Sequence, residues 1–485
     1  MNSPVETAIG SASRTGRAPD GFELQEDRLF PSDPRSRDLA RELYSTVSSL
    51  NVISPHGHVE ASMLAEDAAF SDPVSLLLSR DHYVLRLFHA DGVDIERLGA
   101  GSGAPADPRA AWKIFCDRWH LLEGTASGYW MRDVLGRVLG LPVEPSPANA
   151  FTTYEFLQER LREAGMRPRA LFERFNIEVL ATTDDPLDSL DAHRQIRDDA
   201  SFSGRVLPTF RPDAYLDPSG SGFVEATERL AAWSGAAVDD YTAYIRALED
   251  RRGYFIEHGA VSADHGVHDL LTVDLDALEA ASMYRRAVRG DLTSEEARVF
   301  RGHMLVESAR MSVEDGLVMT VHPGVHRDHN DQILNRFGKD VGADIPVSTS
   351  FTENLRPLLQ RYGLERDFHL VLFTIDETAY SREIAPLAGF YPSVYIGAPW
   401  WFLDAPDAIQ RFRAATTETA GFSRASGFID DTRAFLSIPA RHDMARRADA
   451  VYLARLVLEG RLTHRAAARI IHELTSEQPR KVFKL

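Results

Sequence analysis

With 485 residues, 44% of them hydrophobic and 26% charged, the chain has the composition of a folded soluble protein. A net charge of −18 excludes nucleic acid as a partner, and no apolar run approaches the ~18 residues that a membrane helix needs. A single cysteine, Cys116, excludes a disulfide framework and a Cys-based zinc site; it reads as a buried structural residue in a reducing, cytoplasmic compartment.

Residues 1–20 are small and polar, without the apolar core of a signal peptide, and are expected to form a disordered tail. From there the chain repeats one local pattern: a short β-branched or apolar run that ends in polar, often ionisable residues. Val52-Ile53-Ser54 leads into His56-Gly57-His58, and Ile177–Ala181 into Thr182-Thr183-Asp184-Asp185. Val206-Leu207 leads to Arg211, Val261 to Asp264-His265, and Leu317–Val321 to His322. Leu370–Ile375 ends at Asp376-Glu377, Val394–Ile396 leads to Trp400-Trp401, and Gly427–Ile429 runs into Asp430–Arg433. Such runs suit strands buried on both faces of a parallel sheet. Amphipathic stretches at Leu187–Ile196, Asn354–Tyr362 and Ala408–Thr419 supply the alternating helices.

The pattern predicts an α/β fold, a distorted (β/α)₈ barrel of the TIM type over residues 21–485. A barrel needs ~250 residues, so the excess is assigned to insertions. A helical subdomain rich in Trp, Phe and Leu is expected over about 60–175, and a smaller helical insertion over about 214–258. The Gly-rich stretch 99–103 follows no strand and reads as a flexible loop, not a phosphate cradle.

In such a barrel the active site lies where the strands end, so the polar run-ends should converge. His56 and His58, at i and i+2 on a strand, point to one face and suit a divalent ion. Asp431, at the end of the eighth run, would lie beside them as a ligand or base, while Asp430 fits a helix-capping role. His322 reads as a strand-end residue and Arg327 as a loop cation. The nearby His326 and His329 read as structural. Arg211, Arg327 and Arg433 are candidate partners for a carboxylate, which a strongly anionic protein could bind only with local positive charge. Trp400-Trp401 could wall a sugar pocket or pack in the core.

These residues carry a resemblance. The set His56-Gly-His58, Asp81-His82-Tyr83, Thr182–Pro186, Phe210–Asp213, Ser262–His265, His322-Pro-Gly, Trp400–Phe402 and Asp431–Ser437 resembles the uronate (glucuronate) isomerase family of the amidohydrolase superfamily, from about residue 22 to the C-terminus. The resemblance implies a distorted barrel that interconverts D-glucuronate and D-fructuronate, and D-galacturonate and D-tagaturonate. It implies one divalent ion, zinc, on His56, His58 and Asp431, with His322 close by. Tyr83, Asp264, His322 and Asp431 fall on catalytic positions, and Arg211, Arg327, Trp400 and Arg433 on substrate-binding ones. Many members have an Asp two residues before the first histidine and a Cys between the two; here Ser54 and Gly57 stand there. Asp264-His265 occupy the region where the superfamily's hydrolases place a bridging lysine, which argues against a second metal. A mononuclear hydrolase or decarboxylase on the same barrel, and a non-catalytic sugar-acid sensor, are the alternatives. Residue types leave open whether the hydrogen moves through an enediol or as a hydride, and whether the chain forms a homo-oligomer.

Overall fold

The computed structural model describes Phe22 and residues 24–485; the expected N-terminal tail lies outside them. β1 (Val52–Ser54), β2 (Ile177–Ala181) and β3 (Arg205–Leu207) form one parallel sheet. β4 (Ser262–Val267) and β5 (Val318–Pro323) begin a second. After a two-residue antiparallel ribbon, β6 (Val325–His326) with β7 (Ile345–Pro346), the second sheet continues with β8 (Leu370–Leu372) and β9 (Val394–Ile396), all parallel. The sheets meet at Phe210, which bridges to Asp184 on one side and Ala263 on the other.

The eighth run does not form the expected strand. A single bridge joins Ala425 to Ile396, and Ser426 N–H donates to the Ile396 carbonyl at 2.8 Å. The chain then turns at Gly427, whose φ is +82°, and again at Asp431, whose φ is +39°, so 427–431 cannot stay extended. The ring is still joined, because His58 N–H donates to the Thr432 carbonyl at 3.1 Å. The first and last segments of the barrel therefore meet at the level of the predicted site.

Every residue of β5, β8 and β9 is buried, as strands covered on both faces require. Outside them lie long helices with their own end signals. Ser294–Asp315 opens on a Thr293/Glu296 capping box and stops at Gly316 in the left-handed conformation. Between β1 and β2 the chain forms helices from Ala61–Glu66 to Pro168–Arg174, packed around Phe88, Trp112 and Phe115, with buried Cys116 among them. Of stretch 99–103, Ala100 is buried in this packing, while Gly101 and Ser102 are exposed. Between β3 and β4 lie Phe223–Ser234 and Tyr241–Glu257. Val482 and Phe483 pack among Val318, Val371 and Tyr395, and Leu485 against Ile53, Val179 and Leu207, so the end of the chain joins the barrel core.

Candidate active site

All ten candidate residues, His56, His58, Tyr83, Arg211, Asp264, His322, Arg327, Trp400, Asp431 and Arg433, line one cavity of about 580 Å³ at the strand ends. They reach it by different routes. His56 and His58 follow β1, Asp264 lies on β4, His322 ends β5, and Arg211 follows β3. Tyr83 comes from the first turn of helix His82–Ala90. There Asp81 accepts hydrogen bonds from the Tyr83 and Val84 N–H groups at 2.9 and 3.1 Å. The Asp-His-Tyr motif is thus a helix cap that aims two side chains into the cavity.

The closest cluster is His56, His58 and Asp431. Asp431 Oδ1 lies 3.3 Å from His56 Nε2 and 2.9 Å from His58 Nε2. Yet this oxygen is buried and makes no hydrogen bond, and His56 Nδ1 is likewise unpaired. Two imidazoles and a carboxylate that converge without bonding one another leave lone pairs for an ion. Burial would raise the Asp431 carboxyl, but the two imidazoles hold it well below the usual carboxylate range. Its neighbour Asp430 caps no helix, contrary to expectation; its Oδ2 meets His442 Nε2 at 2.9 Å.

A second group adjoins the first. His322 Nδ1 donates to Asp264 Oδ1 at 2.6 Å, as does the Thr320 hydroxyl at 2.6 Å. This fixes the His322 proton on Nδ1 and leaves Nε2, buried and unpaired, as an acceptor. The ring stacks on Phe373 at 4.1 Å and lies 4.8 Å from both His56 and Trp400. His56, Asp264 and His322 are close enough to offer ligands to one ion.

The three arginines do not form one clamp. Arg211 donates to Asp213 at 2.8 Å and lies 3.6 Å from Asp264. Arg433 and Arg327 instead share Asp340, at 3.0 and 3.9 Å. Sequence reasoning gave no role to Asp340, which sits in a loop and reaches the site only in space. It also gave none to His82, whose ring stacks on Trp401 at 5.2 Å and whose pKa burial lowers to about 3. Arg441, buried behind Tyr83, was missed too; an arginine inside a largely apolar helix was the available signal. His326 and His329 are exposed, not structural packing residues.

A parallel barrel with a His-His-Asp cluster and an arginine-rimmed cavity at its strand ends defines a class, a barrel enzyme with its chemistry at the carboxyl face. The chain belongs to the glucuronate isomerase family, whose model matches residues 34–483. It is 51% identical to a uronate isomerase of Corynebacterium efficiens over 95% of this chain and 98% of that one. A uronate isomerase of Cutibacterium acnes is 51% identical over the same shares. The crystal structure of glucuronate isomerase from Caulobacter crescentus superimposes with a TM-score of 0.94 at 46% identity, covering 96% of this chain and 97% of that one. That of uronate isomerase from Thermotoga maritima gives 0.89 at 26% identity, covering 95% and 99%. Among the described residues, no helix is long and apolar enough to cross a membrane.

Proposed function

We propose that this protein is an aldose–ketose isomerase of hexuronates, converting D-glucuronate to D-fructuronate and D-galacturonate to D-tagaturonate. The observation that carries the reading is the convergence of the His56–His58–Asp431 cluster, Tyr83, the His322–Asp264 pair and the arginines in one cavity. Family membership supports the same reading.

His56, His58 and Asp431 would hold one divalent ion, and zinc suits two imidazole nitrogens with a carboxylate. When bound, the ion supplies a Lewis acid for substrate oxygens. The chain's own residues do the rest. Asp431 accepts a hydroxyl proton as the hemiacetal ring opens. Tyr83, once its phenol proton has passed to solvent, takes the proton from C2, and the C–H electron pair passes into an enediol; the phenol then exchanges with solvent and delivers a proton to C1. His322 Nε2 exchanges a proton with a substrate hydroxyl while Asp264 holds the ring in place. Arg433 and Arg327 receive the substrate carboxylate in exchange for Asp340. Trp400 lines the cavity beside His322 and walls the sugar.

The test is incubation with glucuronate and galacturonate in heavy water, followed by NMR. The expected result is a ketose carrying solvent deuterium at C1. Absence of ketose from either uronate, or equal turnover of glucose, would overturn the assignment. Ketose formed with complete retention of the substrate's hydrogen would remove the enediol route alone.

A further inference from the structure

Behind the wall that carries Tyr83 lies a buried charge pair with no part in the chemistry above. Arg441 comes from helix Ile438–Leu458, is buried, and lines the cavity. Its Nη1 donates to Asp404 Oδ2 at 2.6 Å and its Nε to Ser437 Oγ at 3.1 Å. The guanidinium lies 3.5 Å from the centre of the Trp130 ring and 5.6 Å from that of Tyr83. Those two rings meet edge to face at 5.6 Å, so the cation is set against both. Asp404 Oδ1 is buried without a partner. A buried ion pair of this kind is a poor source of stability, because desolvation offsets much of the attraction. Its presence against the cavity therefore asks for another purpose.

We infer that Arg441, anchored by Asp404, is a positioning residue for Tyr83. It fixes the phenol ring at the cavity wall and sets a permanent positive charge 5.6 Å from the centre of the ring whose oxygen becomes negative when Tyr83 serves as base. The inference rests on the reading of Tyr83 as the group that handles the C2 proton. The surroundings make such a cation necessary. Burial pushes the Tyr83 phenol above its ordinary range, Arg441 opposes this, and Asp404, Asp431 and Asp81 add to the upward push. His82, with its ring 4.6 Å from that of Tyr83, is kept neutral by burial and contributes no charge. Arg86, one turn along the same helix, has its own pKa lowered by burial. Arginine suits the task because it stays charged when buried and its flat face stacks on aromatic rings.

The test replaces Arg441 by Met, Gln and Lys in the metal-loaded full chain, each in the wild-type and in the Tyr83→Phe background. The readouts are kcat and KM for glucuronate, metal content and Tm. In the wild-type background Met and Gln should lower kcat by roughly tenfold or more, the effect of one unit of phenol pKa, with KM little changed. Lys, which keeps the charge, should recover most of the loss. In the Tyr83→Phe background the same substitutions should cost nothing further, because their target is gone. Gln guards against a Met variant that fails to fold, since it can still hydrogen-bond to Asp404. Recovery by Gln and not by Lys would mean a structural hydrogen bond and would overturn the inference. So would an equal loss in both backgrounds, or a rise in KM at constant kcat. A fully active Tyr83→Phe enzyme would instead remove the reading of Tyr83 itself, and the inference with it.

Discussion

Four residues lining the cavity, Asp328, Asp340, Trp401 and Asp431, have positive φ, from 39° to 64°. Aspartate tolerates this region, but a tryptophan there stores about 1–3 kcal/mol of backbone strain, which folds keep where a side chain must be aimed. At Asp431 the turn brings a carboxylate against two imidazoles. His56→Ala should therefore sharply reduce the divalent metal found by elemental analysis of purified protein; unchanged content would sink the ligand assignment. Arg433 is held by Asp340 and is partly exposed, so Arg433→Met should cost about 2 kcal/mol in kcat/KM for glucuronate, at the lower end for a charge-assisted contact. Equal activity of wild type and variant would exclude it as a carboxylate ligand. The histidine pair was legible in the sequence because the two-residue period of a strand fixes both side chains on one face. Asp340 was not, because its contact joins two loops far apart in the chain. Asp430 was misread because capping is the commonest task of an aspartate before a helix, whereas here His442 takes it.

Seven parallel strands could be read from apolar runs because burial on both faces leaves little else for those residues to be. The eighth could not, because Gly427 and Asp431 bend the chain where periodicity alone says extended, and the joining contacts are single backbone bonds. One glycine tests how the strands aim the site. Gly266, on β4, donates its N–H to Asp213 Oδ1 at 2.9 Å. A Cβ there would lie 2.7 Å from Arg211 Nη2 and 2.8 Å from Asp213 Oδ2. Both are ends of flexible side chains, so Gly266→Ala should fold with a nearly unchanged Tm while Arg211 is displaced. The expected result is a drop in kcat/KM of about tenfold or more, as misplaced site residues cause. Full activity with the same Tm would show that Arg211 is not needed where it stands.

For the molecule as a whole, pH sensitivity should arise outside the site as well as in it. Asp184, beyond β2, accepts from the Thr182 hydroxyl at 2.6 Å and from Thr209 N–H at 3.1 Å. Burial raises its pKa to about 7, against those two hydrogen bonds and with a further push from Asp188. A carboxyl raised in the folded state holds its proton after the unfolded chain has lost its own. Its stabilising contribution is full below about pH 4 and disappears as pH rises through about 7. His193, 2.8 Å from the Thr182 hydroxyl, acts in the opposite sense, since burial lowers its pKa to about 4. Comparison with Asp184→Asn cancels that term. The Tm of the variant should gain on the wild type between about pH 4 and pH 7; a constant difference across that range would exclude Asp184. A metal held only by the folded state adds its own term, so excess zinc at about 100 times its Kd should stabilise the protein by about 2.7 kcal/mol, an effect that His56→Ala removes. Finally, the His56–His58–Asp431 cluster lies across the seam where His58 N–H meets the Thr432 carbonyl, so its members come from opposite ends of the gene product. A chain still emerging from the ribosome has the two histidines early and the carboxylate almost last. An ion on the proposed ligand set could be held only once both ends of the chain are made, so truncated chains that stop short of residue 431 should bind no divalent metal by elemental analysis.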